Sequence, residues 1–365
     1  MHTPRTLVPA VSAGFLFVAS GPPLHDGAEK IAFHPEAGST LHKTFLVNAD
    51  FSLDELSVVV DGQDVGGMLG SLEITAQQET RYEVTDEYQE LAEGRPKKLA
   101  RTFDGLGSQF HMSLSSEMGG GDQDQEMKSS SELEGETVVF SWNDEKGAYD
   151  ITFKDGKGDA DLLEDLKEDM DLRSLLPSNE VSKDDTWKVE LKDLQALAMP
   201  GGDLSLLPEN SEVDPEQLDM FKDMFGDLGQ NLADLLEGEC TCTFRGVREE
   251  SGSRLADIGV ELKIACTIDL TEFFDKVMEK VMERAGGGDM PEISIETADL
   301  NLDYDGVGTL LWDLQTGHAH SFQISGDADL ALDFSVSVEA QGESHAAEAS
   351  LELSGTVKQE VETGE

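Results

Sequence analysis

The stretch Phe322–Glu339, FQISGDADLALDFSVSVE, alternates apolar and polar residues almost without interruption. The even positions from Phe322 to Val338 are nearly all apolar, and most of the odd positions hold Gln, Ser, Asp or Glu. A period of two is typical of a β-strand with one buried face and one solvated face. A strand of ~18 residues would span about 60 Å, against ~5–6 residues for an ordinary strand. The pattern therefore predicts long strands that curve around a core.

The neighbouring segments predict an antiparallel meander in the last third of the chain. Asp305-Gly306 is a favoured hairpin dipeptide and predicts a turn at that point. A second turn is expected at Gln341–Ser344, with Phe334 opposite Leu351 in the returning strand. The apolar rows of the two strands then share one face.

Two shorter hairpins are predicted upstream. One covers Val138–Phe153 with its turn at Asn143–Gly147, and the other covers Cys240–Ile268 with its turn at Gly252. The second hairpin would bring Cys240 near Cys266, and a disulfide between them is conceivable. Buried free thiols are the alternative.

Three segments carry apolar residues at helical spacing. They are Asp159–Leu176, the segment from Asp214 to Leu235, and the segment from Asp269 to the glycines at 286–288. We therefore predict an α+β fold. Long curved antiparallel β-sheets, arranged as a meander or half-barrel, would pack against about three amphipathic helices.

The N-terminus resembles an export signal. Arg5 precedes a short apolar run, and small residues allow cleavage near Ser20. This predicts a signal peptide at 1–20, a flexible lead-in at 21–40, and an extracytoplasmic protein, either periplasmic or secreted. Later segments are too short and too polar for a transmembrane helix, so none is expected.

The mature chain divides by composition. A β-rich lobe with one helix is expected at 41–199, and a linker rich in Gly, Pro and Ser at 200–213. A second lobe at 214–365 would hold two helices and the long meander.

The chain is strongly acidic, with 76 acidic and 26 basic residues and a formal net charge of −50. Such a surface repels the phosphates of nucleic acids, so no nucleic-acid partner is expected. Divalent cations, a basic partner, life in high salt or solubility alone would each account for the charge.

Familiar catalytic and cofactor motifs are absent from the sequence. The chain has no nucleophile elbow, no zinc-protease helix motif, no phosphate-binding loop and no dinucleotide glycine pattern. The pair His318 and His320 and the acidic segment Asn301–Gly306 each fit a strand better than a metal site. We therefore predict a protein that is not an enzyme and has neither cofactor nor metal.

In element order and patterning, roughly residues 45–361 resemble periplasmic lipoprotein-carrier proteins. The segments KDDTW at 183–187 and GVGTL at 306–310 are similar to those of uncharacterised exported bacterial proteins. The resemblance implies a curved sheet closed by helices around acyl chains, and it assigns no reaction.

The leading functional hypothesis is the binding of an apolar or lipid-like ligand between sheet and helices. A structural or interaction protein of the cell envelope, using divalent cations or a basic partner, is the alternative. The candidate ligand-binding residues are aromatic: Phe221, Phe225, Phe273, Phe274, Trp312, Phe322 and Phe334. Ordinary core packing is the competing interpretation for all of them.

Overall fold

The computed structural model describes residues 27–66, 72–92, 94–116, 123–209, 235–284, 292–340 and 343–364. Within these ranges the chain forms one antiparallel sheet of 14 strands. The strands are β1 Thr40–Val60, β2 Gln63–Asp64, β3 Leu72–Ala92, β4 Arg95–Ser116, β5 Gln123–Ser130, β6 Thr137–Asn143, β7 Ala148–Phe153, β8 Thr186–Val189, β9 Leu207–Pro208, β10 Leu236–Glu250, β11 Ser253–Asp269, β12 Glu292–Asp313, β13 His318–Ala340 and β14 Glu343–Gly364.

The strand order is β7-β6-β4-β3-β1-β14-β13-β12-β11-β10-β8, with β2, β5 and β9 attached beside this path. The first and last long strands, β1 and β14, pair from His42–Gly364 to Val60–Ala347 in the middle of the sheet. Residues of the two lobes predicted from the sequence thus belong to one continuous sheet. The signal peptide predicted at 1–20 lies outside the described residues.

The predicted α+β class with about three amphipathic helices is wrong, because the described chain is predominantly antiparallel sheet. Its α-helices are α1, Gln195–Ala198, and α2, Thr271–Arg284. Helix α2 matches the segment predicted to start at Asp269, whose carboxylate accepts a hydrogen bond from the Thr271 N–H. The helix predicted at 214–235 lies almost wholly outside the described residues.

The helix predicted at Asp159–Leu176 is absent. That segment forms two short 3-10 turns, Ala160–Leu163 and Arg173–Leu175, and an irregular chain between them. Asp165 and Leu172 have φ values of 60° and 56°, which no α-helix accommodates. The carbonyls of Lys167 and Glu168 accept from the Arg101 guanidinium instead of from helical N–H groups. Tertiary hydrogen bonds therefore override the helical spacing of the leucines.

The long strand predicted at Phe322–Glu339 is confirmed as part of β13, which is 23 residues long. In its first half Phe322, Ile324 and Ala328 are buried, while the intervening Gln323 and Ser325 are exposed. The alternation thus has the predicted buried and solvated faces.

The turn predicted at Asp305-Gly306 does not form. Both residues lie inside β12, where Gly306 pairs with Leu262 of β11 on one side and with Gly326 of β13 on the other. A hairpin dipeptide forms a turn only where reversing the chain gives a lower free energy than continuing the strand. Here two full-length neighbours satisfy the backbone of β12, so the strand continues.

The last hairpin has the predicted faces but a register two residues away from the prediction. Phe334 pairs with Ala349, and Leu332 pairs with Leu351. The ladder continues to Ala340–Glu343, so the connection is shorter than the predicted turn. A shift of two residues keeps every side chain on its face, which explains why the apolar rows still match.

Buried residues concentrate at one end of the long sheet. There the start of β1, the end of β3 and the start of β4 pack against residues 129–135 and 162–206, with Leu41, Phe45, Tyr88, Leu99 and Phe103 almost fully buried. Trp312 belongs to the same core, and its indole N–H donates to the Ala32 carbonyl at 3.2 Å. The other half of the sheet carries mostly partly exposed apolar side chains.

Candidate functional site

An apolar surface, here called the leucine face, covers the less buried half of the sheet. It consists of two straight rows that each cross the four adjacent strands β12, β13, β14 and β1. The first row is Leu302, Leu330, Leu353 and Leu53, and the second is Leu300, Leu332, Leu351 and Leu56. All eight residues are partly exposed. Cross-strand neighbours have Cβ atoms about 5 Å apart, so each row is a continuous apolar ridge.

Helix α2 lies beside the leucine face, next to the row formed by Leu300, Leu332, Leu351 and Leu56. The next row toward α2 contains Ala298, Phe334, Ala349 and Val58. The ring of Phe274 on the helix packs edge-on against Phe334 at 5.3 Å, and Phe273 packs against Phe274 at 5.4 Å. Both helical phenylalanines are partly exposed. The helix therefore supplies an aromatic wall beside the aliphatic rows.

The structure divides the aromatic residues proposed from the sequence. It brings Phe273, Phe274 and Phe334 together beside the leucine face. Trp312 and Phe322 lie in the closed core with 0% and 2% exposure, so they have the packing role that was the competing interpretation. Phe221 and Phe225 lie outside the described residues.

The three cysteines are buried free thiols. Cys240 pairs with Leu262, whereas Cys266 pairs with Leu236, four positions away along β10. That offset corresponds to about 13 Å along a strand, beyond the ~7 Å limit for Cα atoms of a disulfide. The Cys240–Cys266 disulfide considered from the sequence is therefore absent.

Three surface clefts in the described part of the chain are open to solvent and do not include α2. One lies beside β8 around Trp187, with a volume of about 410 Å³. The second lies between β10 and β13 around Tyr304, at about 420 Å³, and the third beside β5, at about 290 Å³. A ligand between helix and sheet would thus lie outside these three clefts.

A second unusual feature is a charge cluster buried in the closed half of the sheet. Lys43 on β1 donates to Asp171 at 2.6 Å, to Asp86 at 2.8 Å and to the Tyr88 hydroxyl at 2.8 Å. The Tyr88 hydroxyl in turn donates to Asp171 at 2.6 Å. Burial alone would lower the pKa of Lys43, but the charges of Asp171 and Asp86 outweigh it and raise that pKa.

Arg101 on β4 completes the inner part of the cluster. Its guanidinium binds both oxygens of Asp86, at 2.7 and 2.8 Å, and both side chains are fully buried. Burial alone would raise the pKa of Asp86, but Arg101 and Lys43 outweigh it and lower that pKa to about 2. The remaining donors of Arg101 bind the carbonyls of Lys167 and Glu168. The cluster thus ties residues 164–173 to the sheet.

The outer part of the cluster is an ion pair between Arg173 and Glu168 at 2.5 Å, with Asp169 3.1 Å from the same guanidinium. One oxygen of Glu168 and one of Asp171 are buried without a hydrogen-bond partner. Burial, partly offset by Arg173, raises the pKa of Glu168 to about 7.

This cluster was not predicted from the sequence, although the sequence contains a signal for it. Three neighbouring strands each carry a charged residue in the middle of an inward apolar row. The rows are Leu41-x-Lys43-x-Phe45, Val84-x-Asp86-x-Tyr88 and Leu99-x-Arg101-x-Phe103. A charge at an inward strand position must find a partner, because an unpaired buried charge costs several kcal/mol.

Within the described ranges, no group of three or more His, Cys, Asp or Glu residues is arranged to hold a metal ion. No helix in the same ranges is both long enough and apolar enough to span a membrane.

Comparisons with known proteins do not assign a family. No protein-family model and no curated protein matches the chain. The structure of a mutant of the Rh. blastica porin is 8% identical over 85% of this chain and 99% of that one, with a TM-score of 0.14. A structure titled "Asymmetric conductivity of engineered proteins" is 10% identical over the same shares, with a TM-score of 0.13. Likenesses this low carry no argument about fold or function.

Proposed function

We propose that this chain is an exported, non-enzymatic protein that binds an apolar, lipid-like ligand on the leucine face. The observation that supports the proposal best is the alignment of the two leucine rows across four strands in a partly exposed part of the sheet. The predicted signal peptide at 1–20 supports export.

Exposure of this apolar surface to water costs free energy. Burial of apolar surface stabilises by roughly 25 cal/mol per Å², and large contiguous apolar patches on proteins mark binding surfaces. An acyl chain laid along the rows would cover leucine side chains without requiring a hydrogen bond from any of them. The ring of Phe274 beside Phe334 would border the chain at one side.

The charge of the protein favours a particular class of ligand. With a net charge of −50, the molecule repels an anionic head group such as a free carboxylate. The expected ligand therefore has one or more acyl chains and an uncharged or zwitterionic head group.

A matched pair of variants on β13 tests the proposal. Leu332→Asp places a carboxylate on the leucine face, and Ala331→Asp places the same group one residue earlier, on the opposite face of the strand. Binding of the uncharged fluorescent probe Nile red and of diacylglycerol would be measured by titration. We expect at least about a tenfold weaker binding for Leu332→Asp and unchanged binding for Ala331→Asp.

Two results would contradict the proposal. One is a wild-type protein that binds neither probe and yields no lipid on organic extraction. The other is an equal effect of both variants when circular dichroism shows that each is folded.

A basic partner or divalent cations remain the second candidate, favoured by one specific observation. On the solvated face of the sheet, Asp303 pairs with Asp329 and Asp305 pairs with Asp327. Carboxylates directly opposite one another repel. Lys263 of β11 binds Asp305 at 2.7 Å, and further cationic groups would relieve the repulsion along the rest of the row. Calcium titration by calorimetry and binding of a lysine-rich peptide would distinguish this candidate, because Leu332→Asp should affect neither.

A further inference from the structure

The buried charge cluster has more carboxylates than cations. Its cations are Lys43, Arg101 and Arg173, and its carboxylates are Asp86, Glu168, Asp169 and Asp171. Three positive charges therefore meet four negative ones. The fourth carboxylate, Asp169, lies at the partly exposed edge of the cluster, and its negative charge favours a proton on a buried carboxylate beside it.

The hydrogen bonds identify which carboxylate is neutralised. Both oxygens of Asp86 accept from Arg101, and one also accepts from Lys43. Asp171 also has one buried oxygen without a donor, but its other oxygen accepts two short bonds, from Lys43 and from Tyr88. Asp169 keeps about a quarter of its side chain in solvent, with 26% exposure. Glu168 is 6% exposed and has one buried oxygen without a donor.

The surroundings of Glu168 suit a protonated carboxyl group. Arg173 and Asp169 face it from its own segment, with Asp171 two residues further on and Arg101 bound to its main chain from β4. On β7, the Tyr149 hydroxyl donates to the Pro96 carbonyl at 2.7 Å and also interacts with the Glu168 carboxyl. Because that hydroxyl already uses its proton, its oxygen can accept one from Glu168.

We propose that Glu168 is the proton-sensitive part of a latch that holds residues 164–176 against the sheet. With a proton on its free oxygen, Glu168 balances the charges of the cluster and the segment stays closed. When the proton leaves, Arg173 still binds one oxygen of Glu168, but the other oxygen is a buried part of a negative charge and has no donor, so the segment opens locally more often.

The direction of the pH dependence follows from the raised pKa of Glu168. The neutral form stabilises the closed segment fully below the ordinary Glu pKa, and this contribution is lost as pH rises through about 7. Because one pKa unit corresponds to a factor of ten and pH 5.5 lies about 1.5 units below the pKa, the local opening constant should rise about thirtyfold between about pH 5.5 and 8.5.

Hydrogen–deuterium exchange on the full chain tests the latch. Exchange of residues 164–176 would be measured at both pH values, corrected for the intrinsic rate and compared with the core strand β4. Wild type should lose protection at the higher pH. Glu168→Gln is permanently neutral and should show the same protection at both pH values.

Glu164→Gln is the matched control, because it removes an exposed carboxylate from the same segment. It should retain the pH dependence of the wild type. Infrared spectroscopy of wild type adds a measurement that needs no variant: a carboxylic-acid band should be present at about pH 6 and lost by about pH 8.5. Absence of that band, or a wild-type pH dependence in Glu168→Gln, would overturn the proposal.

Discussion

At the scale of single residues, the fold depends on the buried charged hydrogen bonds that Lys43 and Arg101 donate to Asp86. Asp86 is the shared partner of both cations and has no exposed surface. Replacing a buried ion pair with apolar residues is often tolerated, but removing one member leaves the others uncompensated. The cluster therefore makes each of its members sensitive to single substitutions.

Asp86→Asn should destabilise the protein by about 3–5 kcal/mol, because two buried cations lose their shared negative charge. Guanidinium denaturation followed by circular dichroism measures the change. Glu87→Gln, the next residue of β3 on its other face, is the control and should cost less than about 1 kcal/mol. An equally small effect of Asp86→Asn would indicate that the cluster contributes little.

Acid should weaken the wild-type protein through the same residue. The pKa of Asp86 is lowered to about 2 in the folded protein. Its contribution is present above the ordinary Asp pKa and is lost as pH falls toward about 2. Stability measured from about pH 5 to pH 2 should decrease less steeply in Asp86→Asn than in wild type. Parallel curves for the two proteins would contradict this assignment.

At the scale of elements, β12 and β13 pair over nearly their full length. Glycines oppose each other where Gly306 pairs with Gly326. A Cβ atom at position 326 would lie 2.2 Å from the Asp305 carbonyl oxygen and 2.4 Å from the Gly306 Cα. Backbone atoms cannot move aside as a flexible side chain can. The absence of side chains at this point is thus required for the pairing of the two strands.

Gly326→Val should therefore destabilise the protein by at least about 2 kcal/mol, as overpacking against backbone does. Ser325→Val, one residue earlier on the solvated face, should change stability by less than about 1 kcal/mol. Urea denaturation measures both. If the two variants were equally stable, the close approach of the strands would not be a constraint.

At the scale of the whole molecule, net charge opposes compactness. The solvated face holds opposed aspartates not only at 303–329 and 305–327 but also at Asp299–Asp333. Their repulsion adds to the self-repulsion of a chain with a net charge of −50. Salt shortens the range of such forces, from about 8 Å at physiological strength to about 3 Å at 1 M.

The melting temperature should therefore rise between low and high salt. Scanning calorimetry in sodium chloride measures it, and magnesium chloride at equal ionic strength shows whether divalent cations add to screening. The double variant Asp327→Asn, Asp329→Asn should have a smaller salt dependence than wild type. A flat response of the wild-type protein would refute the role assigned to charge repulsion.

Several elements were predictable from local pattern. The hairpin of Val138–Phe153 pairs Phe140 with Ile151 as its alternation indicates, and the β10–β11 turn lies at Gly252. The helix after Asp269 also forms where its cap and spacing place it. In each case the partners are close in sequence, so local preference and tertiary structure agree.

The predictions that were wrong involve competition between local and distant partners. The leucine spacing of Asp159–Leu176 favours a helix, but Arg101, more than sixty residues away, takes the carbonyls of that segment. Asp305-Gly306 favours a turn, but β11 and β13 satisfy the strand on both sides. A single sequence does not show which distant residue or strand will become the hydrogen-bond partner of a segment.

The sequence by itself determined the two-sided strands, because alternation along a chain fixes which side chains share a face. It also determined the charge of the solvated surface and the positions of the turns at 143–147 and at Gly252. Only the tertiary structure decided that β1 pairs with β14 and so joins the strands into one continuous sheet. It also decided that the leucines of four strands align in rows, and that Lys43, Asp86 and Arg101 form one cluster with Asp171 and Glu168. Those outcomes depend on pairings between residues far apart in the chain, whose free energy is gained only when the whole sheet has formed.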